Sequence, residues 1–266
     1  MSDYEITTEH RRFFRENGFV KLDGVFTPEQ VAEVERDVSA AVMALHDPDA
    51  EKPPNSDTDA YAAAFTQVMN IWRHSEDVKR FVFNKTLARL ATELMDVDGV
   101  RLYHDQALYK EAHGGYTPWH CDQYYWPLAS DETITAWIPL QDTPANMGPL
   151  AFSAGSHRID LGRDLPIGAD SETVIAGKLA SEQLPCVEPE FSAGDISFHA
   201  GWTFHRAGEN TTDRPRRAMT VIYMADGIRL QAPSNPNQQT DWDTWCPGAV
   251  VGEPVRTPLN PLLYSR

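Results

Sequence analysis

The sequence is short of basic residues, of cysteine and of continuous apolar runs, and each shortage excludes something. Lysine and arginine total 23 against 39 aspartates and glutamates, for a net charge of −16. Such a balance repels phosphate, which argues against nucleic acid or an anionic membrane as partner. The three cysteines, Cys121, Cys186 and Cys246, are odd in number and far apart. They make neither a disulfide framework nor a paired zinc motif, and a reducing cytoplasm is the expected compartment. No apolar run approaches the roughly 18 residues needed to cross a bilayer. Met1-Ser2-Asp3-Tyr4-Glu5 has neither the basic nor the apolar region of a secretory leader, so none is expected. Internal repeats and low-complexity tracts are also missing. What is present is a chain of 266 residues, 41% apolar, long enough for one sizeable core. The simplest organisation is a single domain over 1–266, as a monomer or homodimer.

Read in order, the chain begins with helices. Thr7 or Thr8 caps the first, Phe13 and Phe14 give it an apolar side, and Gly18 ends it. Phe19 to Leu22 alternates like a short strand. Thr27-Pro28-Glu29-Gln30 combines an N-cap, a proline in the first turn and a capping-box glutamine. Behind it Val31, Val34, Val38, Ala41, Val42 and Leu45 form one buried stripe. Asp47 to Asp59 reads as a surface loop. Ser75–Phe83 and Thr86–Met95 read as two further helices.

From Val100 the apolar period changes from helical to two. Strands are expected over Val100–Lys110, Thr133–Leu140, Asp195–Phe198 and Ala218–Met224, separated by glycines and prolines. This pattern predicts a mainly β fold, a jelly-roll (double-stranded β-helix) core at about 99–228, with α-helices over about 1–98. Leu161 to Glu190 is weakly periodic and reads as an insertion over one rim. The tail, 229–266, is expected to wrap the outside of the sheet.

The chemistry concentrates in Tyr116-Thr117-Pro118-Trp119-His120-Cys121-Asp122-Gln123-Tyr124-Tyr125. In extended backbone, residues two apart share a face, so His120 and Asp122 can approach one ion while Cys121 points away. Imidazole with carboxylate suits a first-row metal such as Fe(II). A later segment, Gly194 to His205, offers His199 and His205 as candidate third ligands, and Arg216 and Arg217 open an apolar strand.

Together these pieces resemble the phytanoyl-CoA dioxygenase family of Fe(II)/2-oxoglutarate oxygenases. The matching residues run from Asn17-Gly18-Phe19-Val20 through Trp119-His120-Cys121-Asp122, Ala136-Trp137-Ile138-Pro139-Leu140, Gly148-Pro149-Leu150 and Gly155-Ser156-His157. The block Gly194 to His205 and the run Asn210 to Ala218 complete them. The resemblance implies that His120, Asp122 and His205 hold Fe(II). It implies that Arg216 pairs with the distal carboxylate of 2-oxoglutarate, and that Gln106 and Trp137 line the cosubstrate pocket. The implied reaction is O2-dependent hydroxylation of an unactivated C–H bond of a small-molecule substrate, with release of succinate and CO2. Related halogenases carry a small residue in place of the carboxylate, so Asp122 favours hydroxylation, or desaturation or another oxidative outcome, over halogenation. His157 then belongs to a structural turn. Two residues after the distal histidine the family often has Ser or Thr to help the arginine; here Ala207 stands there. Trp119, Tyr124, Tyr125, Trp126 and Trp202 are candidates to line a substrate pocket or to fill the core. The alternative is a catalytically silent metal-binding or sensory jelly roll.

Overall fold

Capping chemistry starts the first helices at the expected places. Thr7 accepts the His10 N–H at 3.1 Å and opens α1 (Thr8–Asn17), which Gly18 ends at φ +81°. Thr27 and Gln30 exchange side-chain bonds at the start of α2 (Pro28–Leu45), which buries Val31, Val38, Ala41 and Val42. The computed structural model describes residues 4–46, 65–160 and 162–266, so the loop expected at 47–59 lies outside them. Two further helices, α3 (Glu76–Val82) and α4 (Lys85–Met95), match their expected spans within a residue or so. In α1 only Phe14 is buried, while Phe13 is 40% exposed and sets its ring edge-on against Phe19. No helix among the described residues is long and apolar enough to cross a membrane.

The strands form two antiparallel sheets. The larger runs β1 (Phe19–Leu22), β8 (Ile196–Ala200), β5 (Thr133–Pro139), β10 (Arg216–Ala225), β3 (Gly99–Lys110) and β11 (Leu262–Ser265), with β2 (Phe65–Met69) also paired to β3. The smaller runs β4 (Thr117–His120), β9 (His205–Ala207), β6 (Leu150–Ser153) and β7 (Cys186–Val187). This is the expected jelly roll, and its two faces do different work.

Alternation sorts the residues of the larger sheet. Val20, Leu22, Ile134, Ala136, Ile138, Phe198, Met219 and Val221 point outward and join the apolar residues of α2, α3 and α4 in the largest core cluster. Each such large side chain, once buried, stabilises the fold by roughly 1.5–3 kcal/mol. The alternate residues point inward, where Phe19, Trp137 and Ala218 meet Leu150, Phe152 and Ala207 of the smaller sheet. Cross-strand partners share a face. The ladders therefore set Lys110 beside Arg216, Gln106 and Trp137 beside Thr220, and Thr135 beside His199, all inward.

Two segments depart from expectation. Within 161–190 there is a helix, α5 (Ala169–Ser181), packed against β4. Its apolar anchors are few, chiefly Ile175 and Leu179, and Gly177 interrupts them, so no helical period stood out. The tail does not simply wrap the sheet: α6 (Pro236–Trp245) docks onto the turn at 122–125, and β11 extends the sheet at β3. The residues that α6 buries are Asn237 and Gln238, so an apolar pattern could not announce it.

Candidate metal centre

His120 is the last residue of β4, and Asp122 the first of a 3-10 turn, Asp122–Tyr125. Cys121 between them keeps extended backbone, φ −130° and ψ 140°, which sends its neighbours to one side. Its own side chain goes the other way, into a cluster with Trp119, Tyr124, Ile175, Leu179 and Phe204. Burial pushes that thiol up to about 12, out of reach of redox or ligand chemistry at neutral pH.

β9 lies antiparallel to β4 and pairs His205 directly with His120, ring centroids 4.2 Å apart. One ligand atom from each of His120, Asp122 and His205 lies within 4.8 Å of the others. The Nε2 atoms of His120 and His205 stand 3.9 and 3.6 Å from Asp122 Oδ1. On the far side of each ring, Nδ1 meets a carbonyl, Pro118 at 2.8 Å and Thr203 at 3.0 Å. A carbonyl only accepts, so Nδ1 carries the proton and Nε2 presents its lone pair inward. Burial, and then the charge of His205 on His120 and of His199 on His205, holds both imidazoles down to about 4, which keeps them neutral and able to bind a metal.

Asp122 is oriented by two residues behind it. Thr135 Oγ1 donates to Oδ2 at 2.8 Å, and His199 Nε2 donates to the same oxygen at 3.2 Å. Burial works to raise the carboxyl, but His205, the His199 hydrogen bond and His120 together hold it far below the usual carboxylate range. It is therefore ionised, with Oδ1 turned to the imidazoles. His199 is thus brought to the carboxylate rather than to the cluster of three donor atoms. Two neutral imidazoles and one carboxylate on one side of an ion suit Fe(II) and leave its other side open.

The other expected site residues line the same inner face. Arg216 is buried at the start of β10, donates from Nη1 to the Gly148 carbonyl at 3.1 Å, and lies 5.5 Å from the Trp137 ring. Trp137 is buried, packs edge-on with Phe191 at 4.9 Å, and its Nε1 has no hydrogen-bond partner among the described residues. An unpaired buried donor on the inner face fits a ligand acceptor. Gln106 accepts from Gln67 Nε2 at 2.6 Å. His157 lies away from the cluster; its Nε2 meets the Arg15 carbonyl at 3.2 Å and ties the end of α1 down.

Among the aromatic candidates, Trp119 and Tyr124 are core, and Trp126 packs on Tyr103 at 5.4 Å. Trp202 is sandwiched under Arg163 at 4.4 Å. Four contributors were not singled out from sequence. Thr135 has just been described. Lys110 faces inward beside Arg216. Glu172 of α5 accepts the Trp119 N–H at 2.8 Å and so braces β4. His104, buried on the inner face, stacks on Trp245 of α6 at 5.0 Å. The parity of the strands could have found three of these, since Thr135 shares a face with Trp137, and His104 and Lys110 with Gln106.

The family described as Phytanoyl-CoA dioxygenase (PhyH) matches residues 14–218. A "Probable alpha-ketoglutarate-dependent hypophosphite dioxygenase" of Stutzerimonas stutzeri is 23% identical over 228 residues, covering 82% of this chain and 78% of that protein. The fold is similar to the non-heme alpha ketoglutarate dependent carbocyclase SnoK from nogalamycin biosynthesis, with TM-score 0.77, 24% identity, and 97% and 96% of the two chains covered. It is also similar to EctD from S. alaskensis, solved with 2-oxoglutarate and 5-hydroxyectoine, with TM-score 0.73, 20% identity, and 97% and 88% covered.

Proposed function

This chain belongs to the phytanoyl-CoA dioxygenase family, and from that premise we propose that it is a single-domain Fe(II)- and 2-oxoglutarate-dependent oxygenase that hydroxylates an unactivated C–H bond of a small organic molecule. The observation that carries this reading is the convergence of His120 Nε2, His205 Nε2 and Asp122 Oδ1 on one place, with Arg216 buried on the inner face of the same jelly roll. Iron and the oxo acid supply the oxidative chemistry, with succinate and CO2 as products of the cosubstrate.

The chain's own residues set the conditions for it. His120 and His205 offer neutral nitrogen donors whose far side is fixed by carbonyls. Asp122 offers the charged donor, and Thr135 and His199 hold it in register. Arg216 supplies charge and a planar donor edge for the distal carboxylate of the cosubstrate. Trp137 and Gln106 flank that end, and the Trp137 Nε1 is a donor without a partner among the described residues. Retention of Asp122 as the third donor favours hydroxylation over halogenation. What the named relatives have in common is the cosubstrate: a probable alpha-ketoglutarate-dependent hypophosphite dioxygenase, an alpha ketoglutarate dependent carbocyclase, and EctD solved with 2-oxoglutarate and 5-hydroxyectoine. The test is a substrate panel scored by succinate. Fe(II)-dependent succinate formation above the substrate-free rate supports the reading; a wild-type protein that turns over no 2-oxoglutarate under any condition contradicts it.

A further inference from the structure

Lys110 is a buried cation to which the proposed function assigns no task. It is fully buried at the end of β3, opposite Arg216 on β10, so the two side chains share the inner face. Its Nζ donates to the Gly208 carbonyl and lies 3.5 Å from that of Ala207. The ammonium and the Arg216 guanidinium address one ring, at 5.0 and 5.9 Å from the Phe65 centroid. Among the described residues, no carboxylate lies within ion-pair distance of Lys110; Glu209 and Glu188 act on it only through their field. Burial, and then the charge of Arg216, pushes the ammonium down to about 6, so near neutral pH its positive charge depends on an anion close by.

Such a placement is costly. Like charges on directly opposed strand positions repel, and a buried ammonium without an anion loses its hydration for little return. An apolar side chain of the same length would fill the space without either penalty. In a chain with a net charge of −16, two inward cations side by side do not follow from composition. An anion drawn between them would offset both costs.

A second observation places that anion. Ala207 stands two residues after His205, where a hydroxyl is expected to assist the arginine. Its methyl packs inward with Trp137 and Ala218 and offers no donor. The Lys110 ammonium lies against the backbone of this same residue.

We propose that Lys110 is a cosubstrate-binding residue: with Arg216 it holds the distal carboxylate of 2-oxoglutarate, in the role that the side chain at 207 cannot fill. This rests on the Arg216 reading above. The two cations then select a dicarboxylate over a 2-oxo acid that ends in methyl.

The test measures binding, not turnover. Fe(II)-loaded protein is titrated calorimetrically, without oxygen, with 2-oxoglutarate and with 2-oxopentanoate, which carries a methyl in place of the distal carboxylate. For Lys110→Met the preference for 2-oxoglutarate is expected to fall about tenfold to a hundredfold, the range for one charged hydrogen bond. Affinity for 2-oxopentanoate should be unchanged, and Lys110→Arg should recover most of the preference. The melting temperature of ligand-free Lys110→Met should stay level or rise. Lys110→Gln removes the charge but keeps a donor for the Gly208 carbonyl, and it gives the same reading should the methionine variant not fold. An unchanged preference in both charge-removing variants overturns the proposal, whether or not stability drops, and leaves the Arg216 reading standing. A wild type with no preference for 2-oxoglutarate overturns both.

Discussion

Thr135 and His199 face each other across β5 and β8 and converge on one oxygen of Asp122, at 2.8 and 3.2 Å. The other oxygen is thereby turned toward His120 and His205. The direction of the proposed carboxylate ligand is therefore set from the larger sheet, while the two histidines come from the smaller one.

This division separates ligand loss from ligand misorientation. His205→Ala removes a donor and is expected to abolish iron binding at micromolar metal. His199→Ala and Thr135→Val leave all three donors and should weaken metal binding by about 10- to 100-fold, the usual effect of losing a partner behind a ligand. Metal content after dialysis, with affinity by competition, distinguishes them. Equal loss in His199→Ala and His205→Ala contradicts the assignment.

The cysteines give a second check. Cys121 and Cys246 are buried and Cys186 is exposed. Burial pushes Cys121 and Cys246 each up to about 12. Native protein treated with an alkylating reagent at pH 8 should gain one adduct by mass spectrometry, at Cys186, and three after unfolding. Cys121→Ala is expected to keep iron binding. A fast native adduct on Cys121 would contradict the outward orientation of that residue.

Asp105 makes stability depend on pH in a defined direction. It is buried, accepts the Ile71 N–H at 3.0 Å, and burial raises its carboxyl to about 7 against the opposing effect of the Trp72 and Ile71 amides. Its folded pKa exceeds its unfolded one, near 3.9. The folded state therefore holds a proton that the unfolded chain releases, and stability is lost as pH rises from about 4 through about 7. His104, His120 and His205, held down to about 4, act in the opposite sense over about 4 to 6.5, so the wild-type curve mixes the two. The Asp105→Asn difference isolates one. Relative to wild type, the variant should gain a few kcal/mol between pH 4.5 and 7.5, at about 1.4 kcal/mol per pKa unit. Urea unfolding at the two pH values measures it; a constant difference would show that Asp105 ionises normally.

Glu172 links α5 to the centre. It accepts the Trp119 N–H and pairs with Arg206 at 3.6 Å. Glu172→Ala leaves a part-buried amide unpaired, which costs about 1–3 kcal/mol. A melting temperature lower by a few degrees is expected, with iron still bound. Unchanged stability would show that α5 does not brace β4.

The sequence carried the jelly roll through a change of period. Val100–Lys110 and Ala218–Met224 were legible as strands although both faces of the larger sheet are covered, one by helices and the other by the smaller sheet, and a register shift at Ile222/Tyr223 breaks their alternation. The first two helices were legible because side chains, Thr7 and Thr27, cap them, and the last helix of the first third because Leu87, Leu90, Ala91 and Leu94 share a buried face. α6 was not, because its buried surface is amide: Gln238 Nε2 donates to the Tyr124 carbonyl and Asn237 Nδ2 to the Tyr124 hydroxyl. The cluster itself was legible only in part. His120 and Asp122 could be paired by spacing; residue type left His199 and His205 equal, the family resemblance chose His205, and the strand pairing sets His205 beside His120 and His199 behind Asp122. Strand parity puts Lys110 on the face of Gln106, but its pairing with Arg216, 106 residues away, follows only from the β3–β10 register.

The central claim is that iron and 2-oxoglutarate meet at His120, Asp122 and His205. Its most direct test is visible absorption of the protein mixed without oxygen first with Fe(II) and then with 2-oxoglutarate. A weak charge-transfer band should appear in the wild type only when both are present, and should be missing in His205→Ala. A folded wild-type protein that gives no band with both added would contradict the account.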